Sequence, residues 1–448
     1  MTSPLWPLVG WVNEHPCQPF FVTPWQTGGM RTRNRNLLAC LIAGALVIPL
    51  ATTAQAAPIG NPANNLKGTV IKDSLFGLHV KDAQNGVWPN IEFGSIRLWD
   101  NATAWANIET SKGVFNWTAL DNSVANANKN GMTDILMVLS GTPAWATSQR
   151  NPTALPAPDA SGVPSNMADW DNWVRAVATR YKGKIKIYQP WNEANLSTFF
   201  TGTPAQLADL TKRAYDIIKG IDPSATIVAP STGTRLGGPF KKFYPAYLRE
   251  LKSLGWPVDV WSAHTYPASL GDTNDRQVLA NAWIDFLKAA GAPNLPLWDT
   301  ENNYGLGGPG PQNPEQDIEG AKAANWTAIT YLDALRLGIS RVYMYQWGPY
   351  NDLWGIQYNQ GAAGAVAMDT LQEWIVGTTY RGCKEVNRKV TCTFGAQDGV
   401  NQIVYSEAGT KMFKAKKRYK QMCQLDGSCS AIPANGQVRT EGPVLLKP

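Results

Sequence analysis

Histidine is nearly missing from this chain, with three residues in 448. His15 falls in a segment read below as a leader. That leaves His79 and His264, too few for a His-rich metal centre, and neither metal nor cofactor is expected. Beyond the first 56 residues no apolar run fills the roughly 20 residues that a membrane-spanning helix needs, so membrane insertion of the mature chain is not expected. No internal repeat or long low-complexity linker interrupts the sequence. The 40 Lys and Arg exceed the 34 Asp and Glu by only six. That surplus reads as dispersed, which makes nucleic acid a poor partner.

Cysteine is scarce and localised. Cys17 and Cys40 precede residue 57, and the remaining four, Cys383, Cys392, Cys423 and Cys429, are confined to the tail. Arg31, Arg33 and Arg35 stand before the apolar run LLACLIAGALVIPL, and Ala54-Gln55-Ala56 follows as a small-residue cleavage pattern. Residues 1–56 therefore read as a leader with a signal peptide, residues 1–29 being an upstream extension before Met30, and the mature protein as secreted or periplasmic. An even set of cysteines in an exported chain implies two disulfides. Of the three connectivities, the local pairs 383–392 and 423–429 are favoured because each closes a short, turn-rich loop; a zinc site is the alternative.

What is abundant is a regular alternation. SLFGLHV, FGSIRLWD, TDILMVLSG, IKIYQPWNE, ATIVAPST, VDVWSAHTYP, LPLWDTENN and RVYMYQWGPY are strand-like. Helical periods lie between them, as in MADWDNWVRAVATRYKG, TPAQLADLTKRAYDIIKGI, NDRQVLANAWIDFLKAAG and AKAANWTAITYLDALRLG, the last two ending on Gly as a C-cap. Eight strand and helix units predict an α/β fold, a (β/α)8 TIM barrel over residues 70–375, for which the about 390 residues after the leader suffice. A doubly wound open sheet is the structural alternative, disfavoured because no GxGxxG turn follows the first strand. Residues 376–448 read as a small antiparallel β-sandwich-like domain carrying the disulfides and joined by residues 62–71, where NNLKGTV adds a strand. The loops ASLGDTND and GLGGPGPQNPEQ are expected to shape the barrel mouth.

Polar and aromatic residues collect at the C-terminal strand ends, where such barrels hold their active sites. Glu193 and Glu301 each close an apolar run among polar and aromatic neighbours, and paired carboxylates at two strand ends suit glycoside hydrolysis. Glu193, next to Asn192, is assigned as general acid/base, and Glu301 as nucleophile. Asp299 is its rival, expected on the same strand face but deeper. Arg97, His264 and Tyr266 are expected to orient and ionise Glu301, and Trp347 to floor the sugar site. Ser140 and Ser231 are placed in the same mouth, and His79 and Trp145 complete the supporting set.

These residues resemble the clan A retaining glycoside hydrolases, with an Asn-Glu acid/base after the fourth strand and a glutamate nucleophile after the seventh. RLWDNATAWANIETSKGVFNWTALD, with Trp105, Glu109, Gly113, Phe115, Trp117 and Asp121, resembles the second-strand region of the xylosidase and iduronidase-like family 39 group and its exopolysaccharide-cleaving relatives. The resemblance implies double displacement, with carboxyl groups about 5–5.5 Å apart, a raised pKa on Glu193 and a depressed one on Glu301. The partner is then a carbohydrate polymer or oligosaccharide. Trp-rich, Gly/Pro-rich loops favour an open cleft and endo action. A non-catalytic glycan-binding barrel is the competing reading.

Overall fold

The computed structural model describes residues 56–448 except 309, 349–354 and 398. The expected leader thus lies, but for Ala56, outside the described residues. Eight parallel strands occupy the eight expected segments: β1 (Phe76–Val80), β2 (Ser95–Leu98), β3 (Ile135–Val138), β4 (Ile187–Gln189), β5 (Thr226–Ile227), β6 (Trp261–Ala263), β7 (Leu297–Asn302) and β8 (Ile339–Trp347). They hydrogen-bond in the order β5-β4-β3-β2-β1-β8-β7-β6. An open sheet would leave β5 and β6 as free edges. Instead the Ala229 N–H donates to the Val260 carbonyl at 2.8 Å and Val228 bridges Val260 in parallel, so the sheet closes on itself.

Long helices follow seven of the strands in turn: α1 (Thr118–Lys129), α2 (Met167–Arg180), α3 (Pro204–Ile221), α4 (Gly237–Ser253), α5 (Thr273–Ala290), α6 (Gly320–Leu337) and α7 (Ala363–Ile375). Their ends obey local chemistry. Thr203 and Gln206 form a capping box ahead of α3, with Pro204 at its first position, and Asp272 and Asp275 do the same for α5. Gly291 and Gly338 end α5 and α6 with φ of 68° and 78°, a left-handed turn that glycine makes without a Cβ clash. The crossover from β1 to β2 departs from the pattern and carries only the single turn Ala83–Asn85. Its segment KDAQNGVWPN is rich in Asn, Gly and Pro, which favour turns over a helix. No described helix is long and apolar enough to cross a membrane.

Strand alternation divides the apolar residues between two cores. Phe76, Leu78, Ile96, Leu98, Val342 and Met344 face outward and pack beneath the helices. Leu136, Val138, Ile187, Val228, Val260, Trp298 and Tyr343 fill the barrel interior. These side chains fill the lower barrel and leave its upper mouth for the site.

The tail forms a six-stranded antiparallel sheet and a two-stranded ribbon. The strands are β9 (Thr379–Val386), β10 (Lys389–Ala396), β11 (Gly399–Ser406), β12 (Lys411–Lys414), β13 (Gln421–Cys423), β14 (Cys429–Ala431), β15 (Gln437–Thr440) and β16 (Val444–Lys447). The sheet runs β9-β10-β11-β16-β13-β14, and β12 pairs with β15. Both expected disulfides form, 383–392 across β9 and β10 and 423–429 across β13 and β14. Each joins residues directly opposite one another in the ladder. Residues 68–71 run along the start of β9 through hydrogen bonds such as Tyr380 N–H to the Thr69 carbonyl, while Ala63–Leu66 turn as a helix. The sheet docks on α6, where the Tyr405 hydroxyl donates to buried Asp333 at 2.7 Å and Arg336 reaches both Asp333 and Glu407.

Within the barrel Gly77 of β1 pairs with Tyr343 of β8, whose ring lies across it. A Cβ at position 77 would stand 2.5 Å from the ring. Gly77→Ala is expected to cost about 1–3 kcal/mol by overpacking, read as a lower urea midpoint at unchanged slope.

Candidate active site

Glu193 follows β4 in a conformation that a non-glycine residue seldom takes, with φ of 39°. Such strain costs about 1–3 kcal/mol and persists only where neighbours hold it. Here the Glu193 N–H donates to Ser231 Oγ at 3.1 Å, and the Leu196 N–H donates to the Glu193 carbonyl. Room for the carboxyl is made by Gly233, where a Cβ would lie 2.6 Å from Glu193 Oε1. Asn195 locks that glycine from both sides, its Oδ1 accepting from the Gly233 N–H at 2.8 Å and its Nδ2 donating to the Gly233 carbonyl at 2.9 Å.

Glu301 is held by the barrel interior. Arg97 of β2, fully buried, donates through Nη1 to Glu301 Oε2 at 2.8 Å, and the Tyr266 hydroxyl donates to Oε1 at 2.9 Å. The rest of the guanidinium is also engaged: Nε and Nη2 donate to Gln189 Oε1 at 3.1 and 2.8 Å, and Nη2 to Asn192 Oδ1 at 2.7 Å. Gln189 in turn donates to Ser262 Oγ at 2.9 Å and to Thr300 Oγ1 at 3.3 Å. One buried cation therefore ties β2, β4, β6 and β7 together beneath the two carboxyls.

Asp299 does not share the face of Glu301. Asp299 pairs with Val342 and Asn302 with Met344, so three steps on β7 answer two on β8, and the bulge turns Glu301 into the mouth. Asp299 faces outward instead, paired with buried Arg276 of α5 at 2.7 Å and accepting from Thr265 N–H and Oγ1. Simple strand alternation, which put the two carboxylates on one face, fails at that bulge.

Above these groups lies a cavity of about 940 Å³, within the range of small-molecule sites. Of the sequence-derived set only Glu193, Tyr266 and Glu301 line it. Asn192, His264 and His79 sit just behind; His79 Nε2 is 4.0 Å from Glu301 Oε2 and 3.2 Å from the Thr300 carbonyl. Trp347 is corrected: its side chain packs into the core under the helices and is not part of the cavity wall. Trp145 is displaced too, donating to the Glu109 carbonyl at 2.7 Å and lying edge-on to Trp105. Ser140 likewise stays outside the wall, its carbonyl accepting from the Trp105 N–H.

The Trp105 to Asp121 motif is scaffold. Trp105 stacks on Trp173, which also stacks on Phe115 and Trp117, and Glu109 accepts from the Trp105 indole and the Gly113 N–H. The loop GLGGPGPQNPEQ contributes Leu306 to the cavity, whereas ASLGDTND caps α5 and contributes none. Sequence reading missed Trp99, Phe199, Arg235 and Tyr345 on the wall. Trp99 and Tyr345 had a signal, since both stand at strand ends. Arg235 had none: it lies in an irregular loop, and its role comes from donating to the Leu306, Gly307 and Gly308 carbonyls across the mouth.

Burial dominates the electrostatics. It pushes the Glu193 carboxyl up to about 7, against the opposing pull of Arg97 and Arg235. Burial also lowers His264 to about 3; the Glu301 charge opposes this, and Arg97 and His79 add to it. A neutral His264 thus stands between the two carboxyls, its Nδ1 3.2 Å from Glu193 Oε1 and 3.9 Å from Glu301 Oε1. Those distances confine the two oxygens to within about 7 Å, a bound that includes the about 5–5.5 Å carboxyl spacing of retaining glycosidases.

Residues 68–215, which run from the arm before β1 into α3, match the family profile of Glycosyl hydrolase family 10. No curated protein sequence matches the chain. Among solved structures, a family 39 glycoside hydrolase from the gut symbiont Bacteroides cellulosilyticus WH2 superposes with a TM-score of 0.61 at 16% identity, over 84% of this chain and 82% of that one. A monomeric β-xylosidase from Caulobacter crescentus CB15 gives 0.59 at 15% identity, over 85% and 97%. The catalytic domain of the family 30 xylanase C from Talaromyces cellulolyticus gives 0.57 at 12%, over 87% and 98%. At these identities the likeness shows a shared fold, the barrel with its appended β-sheet.

The division of labour between the two β7 carboxylates has a stability signature. Asp299→Asn strands Arg276 as a buried, uncompensated cation and is expected to cost about 3–5 kcal/mol in thermal or denaturant unfolding.

Proposed function

We propose that this (β/α)8 barrel, whose residues 68–215 match the Glycosyl hydrolase family 10 profile, is a glycosidase that cleaves O-glycosidic bonds of a poly- or oligosaccharide by double displacement. Glu301 is the nucleophile and Glu193 the acid/base. The observation that carries this reading is the unequal environment of two carboxyls facing one cavity. Glu301 has both oxygens held by donors, Arg97 and Tyr266, which aim it into the mouth. Glu193 is half-buried, no cation among the described residues donates to its carboxyl, and desolvation pushes it up to about 7, which favours a proton.

In the first step Glu301 attacks the anomeric carbon as its bond to the leaving oxygen breaks, and the Glu193 proton passes to that oxygen. A glycosyl ester on Glu301 results. In the second step Glu193, now ionised, takes a proton from water; the hydroxide adds to the same carbon, and Glu301 departs as carboxylate. Neutral His264 brings no charge beside either state of Glu193, its Nδ1 lying 3.2 Å from Glu193 Oε1. Asn192 Oδ1 accepts from Arg97 while its Nδ2 has no hydrogen-bond partner among the described residues, which leaves that N–H for a sugar hydroxyl. Trp99 and Phe199, in edge contact at 6.1 Å, take over from Trp347 as the apolar wall for a sugar ring. The basic, apolar and small-residue leader together with two disulfides supports export to the periplasm or beyond. Endo action is part of the reading, and short oligosaccharides rather than single sugars are then the first products from a polymer.

Two experiments bear on it. Glu301→Gln is expected to lower turnover on a glycan or aryl-glycoside panel more than a thousandfold while leaving sugar binding measurable; the wild-type product, followed by NMR, first appears with the anomeric configuration of the substrate. An inverted product, or activity in the variant near wild type, overturns the assignment. The second is a pH profile. Because the Glu193 carboxyl must hold its proton to act as acid and titrates near 7, kcat/KM is expected to fall as pH rises through about 7. Glu193→Gln should erase that basic limb and cost about 10²–10⁴-fold on substrates with poor leaving groups.

A further inference from the structure

The charge surplus is not dispersed, as the composition suggested, but segregated. Residues 379–448 hold twelve Lys and Arg against five Asp and Glu, whereas residues 57–378 hold 25 against 28. Six of the twelve cations lie between Lys411 and Lys420, a stretch without an acidic residue. A short segment thus makes the tail basic while the barrel is slightly acidic.

The fold gives this charge a shape. Along β10, Val390, Cys392 and Phe394 point into the core, so Lys389, Thr391 and Thr393 occupy the opposite sheet face. Part of that outer face is covered by the β12–β15 ribbon, whose Phe413 and Val438 pack on Val404, Val444 and Leu446. The uncovered part beside the ribbon is a groove of about 680 Å³. Its rim carries Lys67, Arg381, Lys384, Lys389, Lys414 and Lys416, and its described lining includes no carboxylate. None of the six forms an ion pair among the described residues. Lys389 and Lys414 are positioned by donating to the Met412 and Asn435 carbonyls, which leaves their charge uncompensated. The floor offers Thr391, Thr393 and Gln402 as hydrogen-bonding groups.

We propose that this groove on the C-terminal sheet binds a chain of an acidic, carboxylate-bearing polysaccharide, at a site separate from the catalytic cavity. Charge complementarity requires a polyanion. A recessed groove admits a single extended chain, whereas a flat lipid surface would meet only its rim. Nucleic acid is disfavoured because the one aromatic in the described lining, Phe413, is buried at 8% exposure and leaves no face for a base to stack on. Hydroxyl and amide groups on the floor match sugar hydroxyls. The choice of a glycan among polyanions rests on the glycosidase reading of the barrel; the charge argument does not. The groove would hold an acidic polymer beside the barrel and keep the enzyme on it between cuts.

The test uses the full chain in affinity electrophoresis through gels containing polygalacturonate, with neutral xylan, duplex DNA and phosphatidylglycerol vesicles assayed alongside. Polygalacturonate is expected to retard the protein at low salt and to release it toward about 0.5 M, as screened charges require. K384E/K414E/K416E, all exposed positions, is expected to weaken retention at least tenfold, with K384Q/K414Q/K416Q intermediate. Cleavage of a small neutral aryl glycoside should be unchanged in both. No retention by polygalacturonate, equal retention of the charge-reversed variant, or tighter binding to DNA or vesicles overturns the proposal. Glu301→Gln should be retained like the wild type. Charge-dependent retention by a protein that cleaves no glycoside would sink the barrel reading and leave the groove standing.

Discussion

A single buried guanidinium organises the upper barrel. Arg97 has no access to water, so its donors must be satisfied inside the protein or the charge could not stay there. Gln189, Asn192 and Glu301 meet that demand from two further strands. Because β4 and β7 approach the cation from opposite sides of the mouth, their terminal carboxyls are held on either side of one space. The same bonds that make the charge tolerable also aim Glu301. Stability and chemistry are therefore hard to separate at this point of the structure.

The surrounding features follow from that arrangement. Glu193 sits in a left-handed conformation, secured by Ser231 and given room by Gly233, so its carboxyl lies in the mouth without a cation of its own. Burial then raises its proton affinity, while two donors fix the orientation of Glu301. His264, kept neutral by burial, stands between the two carboxyls. Arg235 adds a second function by gripping three carbonyls of the loop after β7, which links the β5 and β7 sides of the cavity.

Much of the fold was legible because it rests on local rules. Alternating strand and helix periods, capping boxes at Thr203 and Asp272, and glycines at 291 and 338 are decided within a few residues. Each of the eight strands was marked by its own apolar run. The crossover after β1 was the exception, where turn-forming residues replaced a helix. Arg97, Glu193, Tyr266 and Glu301 could be named from the same count, because each stands at or just past the end of a strand. Trp347 was expected to floor the sugar site and packs into the core instead, since an aromatic at a strand end does one or the other according to its side of the strand. Asp299 and Glu301 were misjudged for a related reason: a bulge cannot be read from the spacing of two carboxylates.

The sequence by itself thus determined the barrel, its appended sheet, both disulfide pairs and the strands that carry the two glutamates, because periodicity and short loops act over neighbouring residues. Only the tertiary structure decided which side chains meet. It placed Arg97 between strands separated by about a hundred residues, turned Glu301 inward by a bulge against β8, and enclosed Glu193 so that its proton is retained near neutrality. It also gathered Lys67 with the cations of residues 381–416 around one groove. Those outcomes depend on closure of the barrel and on burial, which are properties of the assembled chain rather than of any segment.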